Sequence, residues 1–376
     1  MERKKYRAGV IGLGWMGFLY DLGKRDYERI GGSHKNPIYD VESADRPLPD
    51  GLDINRTFHL YDHPGREGLG SSYAAALSDR PEVELVAGAD RDSRRRAMFG
   101  ERFGIGALYA DALEMLNEER LDIVAIATNT KGRSALTVAA VAAGVRGVLV
   151  DKPMVFSLAE ADAMVGACAE AGVPLVGGAT SVSHPSFARA KALVEEGAIG
   201  EVRSLEARVP VFAQHQDWSY FLTSDPIWVC GTGDQPRRER GSTEFMGQGM
   251  IACSDGTVVH IRAGAPEVRI SGSRGEMFFE HNQWRLYQDV ETPAAGRVEM
   301  PWPTPQFLSG MRTVYCLDDL IDCMEGRLDE PKNSGRRVAV ALEVELGLKL
   351  SSAQGGERVE LPLADRSLAL TYDWFR

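Results

Sequence analysis

Ala8-Gly9-Val10-Ile11-Gly12-Leu13-Gly14-Trp15-Met16-Gly17 is an apolar run that breaks into glycines at the spacing G-x-G-x-x-G. Arg7 to Ile11 reads as a buried strand. The three glycines after it permit a sharp turn, a close approach of backbone N–H groups to a pyrophosphate, and tight packing of the next helix. A dinucleotide is the expected guest, lined by Gly12, Gly14, Trp15, Met16 and Gly17. A strand-to-helix turn without a ligand has the same spacing, so the surrounding elements must decide.

A single βαβ unit would continue into a helix and a second strand ending in an acid about 20 residues on. Phe18 to Gly70 is instead rich in Gly, Pro, Asp and Arg without a sustained period, and reads as an insertion at the mouth of the glycine turn. The helix resumes at Ser72-Tyr73-Ala74-Ala75-Ala76-Leu77. Val83 to Ala89 then forms a buried strand ending at Asp90. An acid there accepts hydrogen bonds from a ribose diol and repels a 2′-phosphate, which favours NAD over NADP. Arg91, Arg94 and Arg95 follow directly and suit a 2′-phosphate, so NADP stays open; as a solvated first helical turn they need no ligand. Asp111 with Glu114 is a capping-box signature for a short helix. The continuous apolar strand Asp122 to Ala127 ends at Thr128-Asn129, a helix runs from about Gly132 to Ala143, and the strand Gly147 to Val150 delivers Asp151-Lys152-Pro153. Such alternation is that of a doubly wound parallel sheet, where ligands bind at the carboxyl ends of strands. The glycines, Asp90, Arg91, Thr128, Asn129, Asp151 and Lys152 all fall at those ends.

The 376 residues suffice for two domains with full cores, and 44% hydrophobic with 26% charged residues is the composition of a globular chain. The expected division is a Rossmann domain over 1–153, carrying the insertion at about 18–70, and an α+β domain over 154–376. A net charge of −11 argues against nucleic acid or an anionic membrane as partner. No stretch reaches about 18 apolar residues and no apolar signal segment precedes the first strand, so a cytoplasmic location is expected. Five cysteines without C-x-x-C spacing suggest neither a disulfide framework nor a zinc site.

After Pro153, Ser157 and Glu160 cap a helix that ends at Gly172, Val173 to Val176 returns as a strand, and a helix runs from Ser186 to Glu196. The texture then changes to consecutive strands: Val202 to Val211, Ile227 to Gly231, Glu244 to Cys253, Thr257 to Ala263, Glu267 to Ser271, Glu276 to Glu280 and Trp284 to Tyr287. Asp255-Gly256 reads as a two-residue hairpin between two of them. Short connections imply a largely antiparallel open sheet, with helices over Leu308 to Met324 and Arg336 to Leu350 covering it or returning from it.

Ala127-Thr128-Asn129, Ala142-Ala143-Gly144-Val145 and Val150-Asp151-Lys152-Pro153 resemble the Gfo/Idh/MocA family, named for glucose-fructose oxidoreductase and inositol dehydrogenase. The likeness continues through Gly177-Gly178, His184 to Lys191, Gly197 to Val202, Ser271 to Glu276, Ser334-Gly335-Arg336-Arg337 and Ser351-Ser352. It implies an NAD(P)-dependent dehydrogenase or reductase acting on a hydroxyl or carbonyl of a sugar, cyclitol or related polyol. It also implies a homodimer or homotetramer joined through the open sheet. Three departures stand out. The family's Glu-Lys-Pro is Asp151-Lys152-Pro153 here. Its usual D-x-x-x-H pair is missing, since His215 is preceded four residues earlier by Val211. Its usual histidine after the fourth strand is absent, with Arg133 near that place.

In the chemistry so implied, Lys152 supplies positive charge and a proton to a developing alkoxide, or accepts a hydroxyl proton in reverse. His215 with Asp217 is the candidate replacement relay, since imidazole titrates near neutral pH; a histidine in a partly exposed loop is the plain alternative. Arg133 is placed to hold an acidic group of the substrate. The insertion is expected to close over the nicotinamide end as a lid. Its His34, His59 and His63, with Asp62, lack two-ligand spacing, so no metal is expected. Two other functions share this fold pattern: a non-catalytic dinucleotide-binding regulator, and an enzyme that uses NAD transiently to cleave glycosides.

Overall fold

The computed structural model describes residues 5–19, 70, 72–178, 180–210, 215–234, 244–280, 283–291, 296–302 and 313–371. The chain divides into two compact units. The first holds 1–151, 163–180 and 309–331, the second 152–162, 181–308 and 332–376.

The first unit alternates strands and helices: β1 (Tyr6–Ile11), α1 (Tyr73–Ser78), β2 (Val83–Ala89), α2 (Ser93–Phe103), β3 (Ala107–Tyr109), α3 (Ala112–Glu118), β4 (Ile123–Ile126), α4 (Arg133–Ala142) and β5 (Gly147–Val150). Helix α5 (Leu158–Ala171) starts in the second unit and ends in the first, where β6 (Leu175–Val176) follows. The sheet order is β3-β2-β1-β4-β5-β6, parallel throughout. Every residue of β4 and β5 is buried, as strands covered on both faces require. The two predicted caps are present, Asp111 accepting from Leu113 and Glu114 and Ser157 from the Glu160 amide; Ser72 and Asp92, which the sequence reading did not single out, cap α1 and α2 in the same way.

The first crossover helix carries the insertion without losing register. The Phe18 and Leu19 amides both bond to Gly14 O, and the chain re-enters so that Tyr73 N donates to Met16 O and Ala74 N to Gly17 O. Residues 73 and 74 thus take the partners that residues 20 and 21 would take in an unbroken helix.

The second unit comprises α6 (Pro185–Glu195), β7 (Val202–Val209), a 3-10 turn over Asp217–Phe221, β8 (Pro226–Thr232), β9 (Gln248–Cys253), β10 (Val258–Ala263), β11 (Glu267–Gly272), β12 (Gly275–Glu280), β13 (Gln283–Val290) and β14 (Gly296–Met300). Helix α7 (Thr313–Met324) returns to the first unit, and α8 (Gly335–Ala353) with β15 (Val359–Glu360) completes the second. The nine strands run in the order β14-β13-β12-β11-β7-β10-β9-β8-β15, antiparallel except for the pair β7–β10. One face buries Leu205, Ala207, Val259, Ile261, Val268 and Ile270 in a core with Phe187, Trp284 and Leu348. The other presents Glu206, Arg208, His260, Arg262 and Glu267 around an open groove.

One expectation changes. The β9–β10 hairpin is a three-residue loop, closed by Cys253 N to Thr257 O at 2.9 Å with Gly256 at φ +89°, and not a two-residue turn. The helix ending at Met324 takes the returning course, since Cys316, Leu317, Leu320 and Ile321 bury with Leu149 and Val176 of the first unit. Its expected start at Leu308 lies outside the described residues.

Candidate active site

In the first unit, the carboxyl ends of β1, β2, β4 and β5 gather the glycines, Asp90, Thr128 and Asp151. The glycine turn is determined by backbone crowding. Gly12 sits at φ +89°, and a Cβ there would lie 2.8 Å from the backbone of Ala127 and Thr128. A Cβ on Gly17 would fall 1.9 Å from Gly12 O. Gly14 differs: its nearest neighbour would be Arg95 Nη1 at 3.6 Å, so its outer side is clear for a ligand to approach the backbone. Trp15 and Met16 follow as half-buried residues.

Asp90 closes β2 against this turn. Its Oδ2 accepts from Leu13 N at 2.8 Å and its Oδ1 from Asp92 N at 2.9 Å. Each oxygen keeps a second lone pair for a ribose hydroxyl. Arg95 Nη1 stands 3.6 Å from Oδ2. The three arginines read as equivalent in sequence therefore part company: Arg91 and Arg94 are exposed, and Arg95 lies beside both Asp90 and Gly14. A helix start Asp92 caps, three residues before Arg95, is the signal that could have singled it out.

Arg133 and Asp151 occupy roles the sequence reading did not give them. Arg133 is 3% exposed. Its Nε donates to Thr128 O at 2.9 Å, Nη2 also reaches Thr128 O, Nη1 reaches Asp151 O, and Nη2 lies 3.4 Å from Asp151 Oδ2. The expectation that Arg133 holds a substrate acid is corrected: its fork is directed at the ends of β4 and β5. Asp151, expected against the cofactor, likewise turns its carboxylate to this guanidinium. Thr128 is half-buried and Asn129 exposed, joined by Thr128 Oγ1 to Asn129 O at 3.0 Å.

In the second unit, Lys152 and His215 lie close enough to interact electrostatically. Burial first, and then the Lys152 ammonium, lower the His215 pKa from 6.5 to about 3. The imidazole is neutral at pH 7, so the near-neutral titration expected for a relay does not hold. Asp217, 4% exposed at the start of the 3-10 turn, accepts from Ser181 Oγ at 2.6 Å. Its neighbour Trp218 is buried at 1% exposure.

The proposed lid and its three histidines lie outside the described residues. Among the described residues no group of three or more His, Cys, Asp or Glu side chains gathers as at a metal, and no helix is long and apolar enough to cross a membrane. The clear side of Gly14, the two closed sides at Gly12 and Gly17, and the acid at the β2 end fit a dinucleotide.

Residues 65–178 match the model of an oxidoreductase family with an NAD-binding Rossmann fold, GFO_IDH_MocA. The match begins near the point where the chain re-enters the interrupted helix. D-apiose dehydrogenase of Paraburkholderia graminis is 41% identical over 125 residues, 33% of this chain and 33% of that protein. Myo-inositol 2-dehydrogenase of Thermotoga maritima is 30% identical over 134 residues, 35% of this chain and 40% of that one. The matched part is therefore about a third of the first relative's length. An oxidoreductase from Agrobacterium radiobacter, solved with NAD+, L-tartaric acid and magnesium, superposes over 95% of this chain and 98% of its own with a TM-score of 0.64 at 18% identity, which shows a shared fold. The strand order and the glycine turn thus accompany a segment, residues 65–178, that is similar to the NAD-binding part of the Gfo/Idh/MocA oxidoreductases.

Proposed function

We propose that this protein is an NAD-dependent oxidoreductase acting on a hydroxyl or carbonyl of a sugar, cyclitol or related polyol. The observation that carries the reading is the glycine turn at the reversal of strand order between β1 and β4, with Asp90 on one side and the Asp151-Lys152 end on the other. Bound there, the nicotinamide supplies or accepts the hydride. Gly12, Gly14 and Gly17 bring backbone N–H groups to the pyrophosphate, and Trp15 and Met16 follow them around the turn. Asp90 accepts from the adenosine ribose diol, which favours NAD, and Arg91 and Arg95 flank it. Thr128 and Asn129 border the nicotinamide end. Lys152, following β5 directly in the chain, holds a proton for the alkoxide oxygen. Neutral His215 offers that lysine and the substrate a hydrogen-bond partner, and Asp217 fixes the turn beside it.

The experiment is turnover of NADH absorbance with a panel of pentoses, inositols, uronates and nucleotide sugars, together with calorimetric titration of NAD and NADP. Reduction or oxidation of a polyol with tighter NAD binding supports the reading, and NAD binding with no turnover on any substrate supports a regulator instead. The low pKa of His215 is the observation on the regulator's side. We further propose a cytoplasmic protein, in keeping with the free thiols of Cys168, Cys230 and Cys253. It would self-associate as a dimer or tetramer through the open face of the nine-stranded sheet, where Glu206, Arg208 and Arg262 offer opposite charges to a symmetry mate. Light scattering measures that state.

A further inference from the structure

We infer that Arg133 and Asp151 are positioning residues that act as one unit to set the place of Lys152, an inference that rests on the reading of Lys152 just given. A buried guanidinium is tolerated only where its donors are met. Here they are met by two backbone carbonyls, Thr128 O and Asp151 O, and by the Asp151 carboxylate. The two carbonyls belong to the ends of different strands, so the fork ties the exit of β4 to the exit of β5. A planar fork with fixed donor directions does this where a lysine would act as a point charge. The peptide that Arg133 grips at Asp151 O is the one that leads into Lys152. A change in this grip therefore moves the base of the lysine side chain.

A third buried group joins the pair. Tyr73, 4% exposed, is affected by both Asp151 and Arg133, and burial with the Asp151 charge holds its phenol well above the usual value. It stays a protonated donor. Its own amide bonds to Met16 O at the glycine turn. Burial also lowers the Arg133 pKa, and the Asp151 carboxylate beside it opposes that shift.

The test is a double-mutant cycle with Arg133→His, Asp151→Glu and the two combined. Three quantities are read for each protein: kcat and KM for the best substrate, the NAD dissociation constant, and the rate at which Lys152 is reductively methylated, followed by peptide mass spectrometry. Each single variant is expected to lower kcat by roughly 10- to 100-fold, the scale of a misplacement of about 1 Å, with NAD affinity within a few-fold. The Lys152 labelling rate should shift several-fold in each, and the combined variant should recover most of both losses. Singles that label Lys152 at the wild-type rate overturn the proposal. So does a combined variant no better than the sum of the singles, or a loss of kcat that only tracks a fall in melting temperature. If wild type turns over no substrate, the oxidoreductase reading fails by that result alone. The labelling rates still decide whether the pair positions the lysine.

Discussion

The glycine turn at the end of β1 and the buried turn around Asp217 are both expected to serve chemistry, and they are built on opposite plans. At the glycine turn the backbone itself is the functional surface. Gly17 is closed by Gly12 O and Gly14 is open, so what matters is the absence of side chains at fixed spacing. Around Asp217 the side chains carry everything: Trp218 and Phe221 join Phe187 and Trp284 in an aromatic core, and the ring of His215 is changed by what surrounds it. A function held by backbone is fixed by spacing. A function held by side chains depends on neighbours that arrive from elsewhere in the chain.

That contrast breaks first at Gly17. Gly17→Ala would push a Cβ into Gly12 O, and we expect it to cost about 3 kcal/mol or more of stability in denaturant unfolding and to abolish NAD binding. Gly14→Ala separates folding from binding. Its stability should change by less than about 1 kcal/mol, because the added methyl meets only Arg95, while NAD affinity measured by calorimetry falls by about 10-fold or more as the methyl intrudes on the pyrophosphate. Asp90→Ala should weaken NAD by about 10-fold, roughly 1.4 kcal/mol, and weaken NADP less, since Arg95 stays beside the turn.

The smallest effect sharpens the other side of the comparison. His215 is half-buried by area, and its folded pKa of about 3 lies below the unfolded value of 6.5. The unfolded chain then binds the extra proton between those values, so stability is complete above about pH 6.5 and falls as pH drops toward 3. At pH 5 the loss is about 1 to 2 kcal/mol, the lower figure allowing for the accessible part of the ring. His215→Gln removes the term. Urea unfolding at pH 7 and pH 5 should show a smaller drop for the variant than for wild type, and equal drops would mean that the imidazole titrates normally.

The parts legible in the sequence were those set by local spacing: the glycines, Asp90 at the end of an alternating strand, and Asp111 three residues before Glu114. Strands β3 and β14 were missed because their residues carry no buried alternation; β14 is exposed along nearly all its length. The parallel pairing of β7 with β10 was hidden because the intervening strands return to it from the far side. Arg133 was misread for a related reason. Its partners become neighbours only when β4 and β5 pair, and no spacing between residues 128, 133 and 151 announces that. His215 was misjudged because the burial that chiefly lowers its pKa, and the cation at residue 152 that adds to it, come from the tertiary fold and not from its neighbours in sequence.

The central claim is that Lys152 holds the proton for a hydride-transfer reaction, and Lys152→Met tests it most directly. The substitution keeps the apolar stem and removes the charge and the donor. At saturating NAD, with any substrate that wild type turns over, kcat should fall by roughly 10²- to 10⁴-fold with NAD affinity within a few-fold. Equal turnover by the two proteins would contradict the account and remove the lysine from the mechanism.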